Sequence, residues 1–236
     1  MRIDLSDERV MAVVAHPDDA ELLCAGTLAR ARSQGAPVAI ACLCRGDRGQ
    51  PDPPIDDLAE RRRVEMTQAA RLLDAETFFG FASDGELADG PVARSTVIEH
   101  LRAFRPTLVI THSPHDYHAD HRAAAGIVQA ASWLAASRGH QSAHPPLERP
   151  PALWLADCIG MLDFQPHFWI DVSPHVELKH QMLRCHRSQL DRGDDADFSP
   201  LEQLMQTQYS MRGEQAGVAA AEAFQWQASW KRIRAW

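Results

Sequence analysis

The chain has no run of about 18 apolar residues, the length that reads as a membrane-spanning helix, so no transmembrane segment is expected. Its opening stretch, MRIDLSDERVMAVVA, mixes acids and bases ahead of a short apolar run, and no signal peptide is expected. Basic residues are in the minority: 24 Lys plus Arg stand against 32 Asp plus Glu, a formal net charge of −8. That balance argues against nucleic acid or an anionic membrane as the main partner. The cysteines number five, an odd count without disulfide-like spacing, which fits reduced thiols in a cytoplasmic setting. Cys42 and Cys44 alternate within one apolar run, lack further cysteines at metal-binding spacing, and read as structural. Also missing is a glycine-rich turn after the first apolar run, the fingerprint of a dinucleotide-binding fold. Present instead are 236 residues that are 45% hydrophobic, enough for one domain with a sizeable core, and twelve histidines.

Short apolar runs alternate with helical patterns. Residues 10–15 (VMAVVA) and 38–44 (VAIACLC) read as strands buried on both faces, with further strands at 77–81, 107–111, 153–158 and 168–172. Helices are expected from Asp18 or Asp19 to about residue 32, over 58–73, from Pro91 to about 104, from about 118 to 137, and from Ser173 to about 189. The last forty residues, rich in Gln and Ala, read as helical. Strand–helix alternation of this kind implies an α/β fold, a Rossmann-like, doubly wound and mostly parallel sheet flanked by helices, with a helical C-terminal tail. Ligands of such sheets bind beyond the carboxyl ends of the strands, where the winding reverses beside strand 1.

Two loops at that place carry the chemistry. After strand 1 comes His16-Pro17-Asp18-Asp19-Ala20-Glu21. Three carboxylates at a helix start repel a phosphate and attract a cation; His16 and Asp19, three apart around a turn stiffened by Pro17, can address the same ion. An Asp-Asp pair there also serves as an ordinary helix cap, and the neighbouring strand-end histidine tips the balance toward a metal. After strand 4 comes HSPHDYHADH (112–121), four histidines spaced by three with two aspartates among them. His118 and His121 share one face of a starting helix and suit one metal ligand and one acid/base group. Neither loop supplies a complete site; together they do.

The pair AHPDDAE (15–21) and HADH (118–121) resembles the LmbE-like, or PIG-L, family of zinc-dependent N-deacetylases. Supporting matches are Arg62-x-x-Glu65 followed by Ala69 and Leu73, Asp84-Gly85, RPTLVITH (105–112), IDVS (170–173), Lys179 and HRSQ (186–189), so the likeness covers roughly residues 9–190. It implies a deacetylase domain over 1–190 and a helical extension, 191–236, packed on the same domain. It makes His16, Asp19 and His121 ligands of Zn2+ or another divalent transition metal, with an open position for water. Asp18 is then the general base. His118 is placed to stabilise the oxyanion and protonate the leaving amine, with its ring held by Asp120. Arg62 and Asp84 match positions that contact the sugar or its aglycone. Ala119 departs from the proline common in relatives, and Tyr117 offers an extra hydroxyl near the oxyanion. His186 reads as a packing residue on a helix face, and the RGDRGQ loop (45–50) as a rim of the pocket. Trp226, Trp230 and Trp236 read as docking the tail on the domain or on a neighbouring subunit. The function implied is removal of the N-acetyl group from an N-acetylglucosamine-type sugar or conjugate. The partner is thus a small-molecule N-acetylated sugar, with no nucleic acid and no membrane, and assembly into a homo-oligomer is open. The alternatives are an amidase or O-deacetylase using the same metal site, and a non-catalytic sugar- or nucleotide-binding module.

Overall fold

In the computed structural model, which describes residues 3–190 and 200–228, strand β1 (Val10–Val14) is buried along its whole length. Val10, Ala12 and Val14 enter one core, while Met11, Val13 and Ala15 enter the other, because successive side chains of a strand point to opposite faces. Strand β2 (Val38–Cys44) divides the same way, with Val38, Ile40 and Cys42 on one side and Ala39, Ala41 and Leu43 on the other. Both runs are therefore apolar throughout, as strands covered on both sides require.

β1 pairs in parallel with β2 and with β4 (Leu108–Thr111); β2 continues to β3 (Glu76–Ala82) and β4 to β5 (Ala152–Ala156), again in parallel. Helices α1 (Asp19–Leu23), α2 (Ala25–Ser33), α3 (Leu58–Arg71), α6 (Val176–Leu183) and α8 (Leu201–Ala216) contribute to the core on one face. Helices α4 (Pro91–Phe104) and α5 (Ala119–Leu134) cover the other. The sheet order is β3-β2-β1-β4-β5-β7-β6, with β6 at Phe168–Asp171 and β7 at Ala221–Trp226. β1 lies between β2 and β4, so the chain winds away from it in both directions and opens a crevice at the carboxyl ends of β1 and β4. Among the described residues no helix is long and apolar enough to cross a membrane.

Three local expectations change. The helix expected from residue 18 to 32 breaks at Cys24 into α1 and α2. The helix expected over 173–189 becomes a 3-10 turn (Ser173–His175), α6 and the short α7 (Arg187–Leu190). The tail is helical in α8, but residues 221–226 form β7, inserted between β5 and β6 and antiparallel to both. β7 also explains the first break. Its buried Glu222 accepts the Gly26 N–H at 2.9 Å and the Thr27 N–H at 2.7 Å, capping α2 from a strand nearly 200 residues away. Buried Lys179 of α6 completes the junction, donating to Glu222 at 2.5 Å and to the Leu22 carbonyl at 3.0 Å. Gly26 is needed here, since a Cβ would lie 2.7 Å from that of Val172. Trp226 stacks on Phe168 at 5.4 Å; Trp230 and Trp236 lie outside the described residues.

Glu222→Ala leaves the Lys179 ammonium buried without its counter-charge and α2 without its cap. A stability loss of about 3–5 kcal/mol is expected, read as a lower denaturant midpoint at unchanged slope. A loss below about 1 kcal/mol shows that the pair does not hold the junction.

Candidate metal centre

The crevice is built by the two loops that leave β1 and β4. The strand ends are tied by the Ala15 N–H, which donates to Nε2 of buried His112 at 2.9 Å. The chain then turns through Asp18, whose φ of 107° lies in the left-handed region that aspartate tolerates better than most residues. The turn is closed by the His16 N–H donating to Asp19 Oδ2 at 2.7 Å. From the other loop, α5 begins beyond His118, so that His121 sits one turn inside it and points back at β1.

Three donors meet here. His16 Nδ1 lies 3.3 Å from His121 Nε2 and 3.4 Å from Asp19 Oδ2, and His121 Nε2 lies 3.3 Å from Asp19 Oδ1. A tetrahedral ion with ligands at about 2.0–2.1 Å spaces its ligand atoms roughly 3.3–3.4 Å apart. The three side chains thus bring two imidazole nitrogens and a carboxylate, approached through a different oxygen by each histidine, to the spacing and the mixed nitrogen–oxygen chemistry of metal donors. His118 stands beside it, its ring 4.8 Å from that of His16 and 4.7 Å from that of His121, and His16, His118 and His121 also form a possible ligand set.

His16 and His121 each have a carboxylate on the far nitrogen. Asp120 Oδ2 lies 3.0 Å from His16 Nε2, and Asp116 Oδ1 lies 3.1 Å from His121 Nδ1. Such partners orient the ring and make it a better donor. Asp120 was expected on the His118 ring; its carboxylate lies instead on His16, where it also accepts the Gly85 N–H at 2.6 Å and the Leu87 N–H at 3.2 Å. Only its backbone reaches His118, donating to Nδ1 at 3.2 Å. That bond leaves the His118 proton on Nε2. Asp116 was not singled out from the sequence. Its signal was its place five residues before His121 in the same polar loop.

The carboxylate of Asp18 is buried and held by Arg62 Nη2 at 3.0 Å; the same guanidinium also bonds the Pro17 carbonyl and approaches the Gly46 carbonyl at 3.4 Å. Arg62 thus lines the cavity mainly as the partner of Asp18. Asp84, 3.7 Å from Arg62, spends its oxygens on the Gly46 N–H at 2.8 Å and the Arg48 N–H at 3.3 Å, fixing the loop after β2 as the cavity's rim. His186 is fully buried beneath α1, 3.4 Å from Glu21, away from the cavity lining. Tyr117 is exposed at the rim, edge-on to His118 and His121.

The electrostatics favour a cation. Burial pushes the His121 imidazolium down, but Asp19 and Asp116 outweigh it and hold its pKa at about 9. Burial likewise opposes the His16 charge, and its bonds to Asp120 and Asp19 raise it well above the ordinary value. Burial would raise Asp19, yet the His121 imidazolium draws it well below the usual carboxylate range. Burial lowers His112 to about 4, with help from His121, so it stays neutral and its Nε2 lone pair is taken by the Ala15 amide. Burial and the neighbouring His121 and His16 also lower His118. Asp18 is raised by burial against the pull of Arg62.

A pH dependence follows for metal-stripped protein. The His121 proton, bound more tightly in the folded state, gives stability that is fully present below the ordinary pKa of 6.5 and lost as pH rises through about 9. Denaturation midpoints should fall across that window, His121 contributing a slope of at most about 1.4 kcal/mol per pH unit and His16, also raised, adding to it in the same direction. A cation displaces that proton, so metal affinity should rise over the same range. Flat stability from pH 6.5 to 9 in stripped protein contradicts this account of His121.

The His/Asp donor set lies at the switch point of a mostly parallel sheet, the place where such sheets bind their ligands. The comparison with known proteins gives the family. Residues 11–132, more than half of the chain, match the PIG-L model, described as GlcNAc-PI de-N-acetylase, and the chain belongs to that family. It is 29% identical to a 1D-myo-inositol 2-acetamido-2-deoxy-alpha-D-glucopyranoside deacetylase from Mycobacteroides abscessus, with 85% of this chain and 88% of the relative covered. A diacetylchitobiose deacetylase from Thermococcus kodakarensis is 25% identical, over 77% of this chain and 70% of that protein. The crystal structure of a conserved protein from Thermus thermophilus superposes with a TM-score of 0.80 at 30% identity, covering 97% of this chain and all of that one.

Proposed function

We propose that the protein is a zinc-dependent N-deacetylase acting on an N-acetylglucosamine-type sugar or its conjugate, releasing acetate and a free amine. The observation that carries this reading is the His16–Asp19–His121 triangle flanked by a buried carboxylate, Asp18, and by an imidazole, His118, at the floor of one cavity. The two relatives named as deacetylases of acetamido-sugar compounds support the bond and the sugar.

The two nitrogens and one carboxylate suit zinc among divalent ions. When bound, the ion polarises the amide carbonyl and acidifies a water toward a pKa of about 7. Asp18 takes the proton of the attacking water; burial raises its proton affinity, while Arg62 keeps it ionised and aimed. His118, neutral and carrying its proton on Nε2, donates a hydrogen bond to the oxyanion that develops on the former carbonyl. A neutral imidazole is a poor source of a second proton, so Asp18 is the group that hands the water's proton to the departing amine. This assigns to Asp18 a step expected of His118. Asp120 and Asp116 hold the two ligand rings, and Asp84 holds the rim loop that shapes the sugar end of the cavity.

The decisive experiment is acetate release from N-acetylated and O-acetylated glucosamine derivatives by metal-stripped protein before and after one equivalent of zinc. Zinc-dependent release from the amides alone is expected. Ester cleavage without amide cleavage replaces the reading with an O-deacetylase, and tight sugar binding with no release at all replaces it with a binding module.

A further inference from the structure

The cavity above the metal centre, about 590 Å³, is lined by side chains of two chemical kinds. Arg48, Arg62, Asp84 and Gln189 are brought by the loops after β2 and β3, by α3 and by α7. Leu22, Leu23, Ile159, Leu201 and Leu204 make the aliphatic part of the lining. These five come from three separate places in the fold. Leu22 and Leu23 follow Asp19 by three and four residues, so they share its side of α1. α1 packs against α8, whose first turn supplies Leu201 and Leu204 at a spacing that puts both on one face. Ile159 follows β5 into the same space. Leu201, Leu204 and Ile159 are only partly buried, so the aliphatic lining is open to a ligand.

We infer that the substrate carries an alkyl or aryl group of several carbons in addition to its N-acylated amino sugar, and that this five-residue aliphatic lining receives it. The inference rests on the deacylase reading of the same cavity. A polyol pressed on this lining loses water and gains no partner for its hydroxyls, a net penalty. Of the polar lining, Arg48 is the group best placed to meet sugar hydroxyls, its exposed guanidinium carrying donors beyond the one given to Glu86. An apolar group against the aliphatic lining gains roughly fourfold in affinity for each methylene it buries. Such a group can enter as the aglycone or as an extension of the acyl chain, and the two sources are separable by experiment.

The test measures kcat/KM of the zinc-loaded full chain on two series. The first is methyl, butyl and hexyl N-acetylglucosaminide, with the inositol glycoside as a polyol control. The second is methyl glucosaminide bearing acetyl, butanoyl or hexanoyl on nitrogen. A rise of at least about tenfold from the shortest to the longest member of either series is expected, and the series that shows it identifies the source. L204Q and I159N should each reduce that ratio at least about threefold, read against their own rate on the methyl glycoside and with zinc content checked. Turnover of the methyl glycoside with no gain in either series, or a preference for the inositol glycoside, overturns the inference and leaves the deacetylase reading standing. Turnover of no compound overturns both.

Discussion

Asp18→Asn is expected to lower kcat by about 10²–10⁴-fold, the range of a lost general base, while zinc stays at one equivalent per chain. The carboxylate is buried, its proton affinity raised, and it lies beside the donor triangle without belonging to it. Asparagine keeps the shape and tolerates the positive φ of this turn, whereas alanine adds backbone strain to the chemical loss. The substitution also leaves the buried Arg62 guanidinium with only the more distant Asp84, 3.7 Å away, as counter-charge, so some stability is lost, and assays belong well below the unfolding temperature. A second signature separates base chemistry from mere distortion. In the native enzyme kcat/KM at saturating zinc should fall on the acid side as Asp18 becomes protonated, since only its ionised form accepts a proton. The variant's residual activity should lack that limb. A kcat within tenfold of the native enzyme, with the limb intact, removes Asp18 from the role.

The second large effect concerns the ion itself. His16→Ala and His121→Ala should each weaken zinc binding by more than the ~10–100-fold that follows loss of an outer-shell partner, and bring turnover to background. His118→Ala should behave differently, retaining zinc and losing about 10²-fold in kcat, the loss expected for the proposed oxyanion donor. This contrast chooses between two ligand sets, His16–Asp19–His121 and His16–His118–His121, both compatible with the spacing of donor atoms. If His118→Ala sheds the metal as His121→Ala does, the third ligand is His118 and Asp19 reverts to closing the turn at the His16 N–H. If His16→Ala retains a full equivalent, no metal is held where the two loops meet.

Much of this was readable in the linear order of residues. The apolar runs of β1 and β2 name themselves as doubly covered strands, because a parallel sheet leaves no face for water. Pro91 marks the start of α4, since its fixed φ and missing N–H suit a first turn. His16, Asp18, Asp19, His118 and His121 stand out because two short polar loops follow strands that must lie side by side. Partnerships were less legible. Asp120 lies next in sequence to His121 and two from His118, yet serves His16, 104 residues away, because a helix start throws its side chain toward β1. Arg62 read as a substrate contact and is found locked on Asp18.

The order of residues determined the α/β class, the strands β1 to β6 and two His/Asp-rich loops as candidates for gripping a cation, since these rest on local periodicity and side-chain chemistry. Only the tertiary structure decided that β7 enters the sheet between β5 and β6, that Glu222 thereby breaks and caps α2, and which carboxylate faces which imidazole. Those outcomes depend on contacts between segments far apart in the chain. A charge finds its partner through the packing that removes it from water, and no local pattern records that packing.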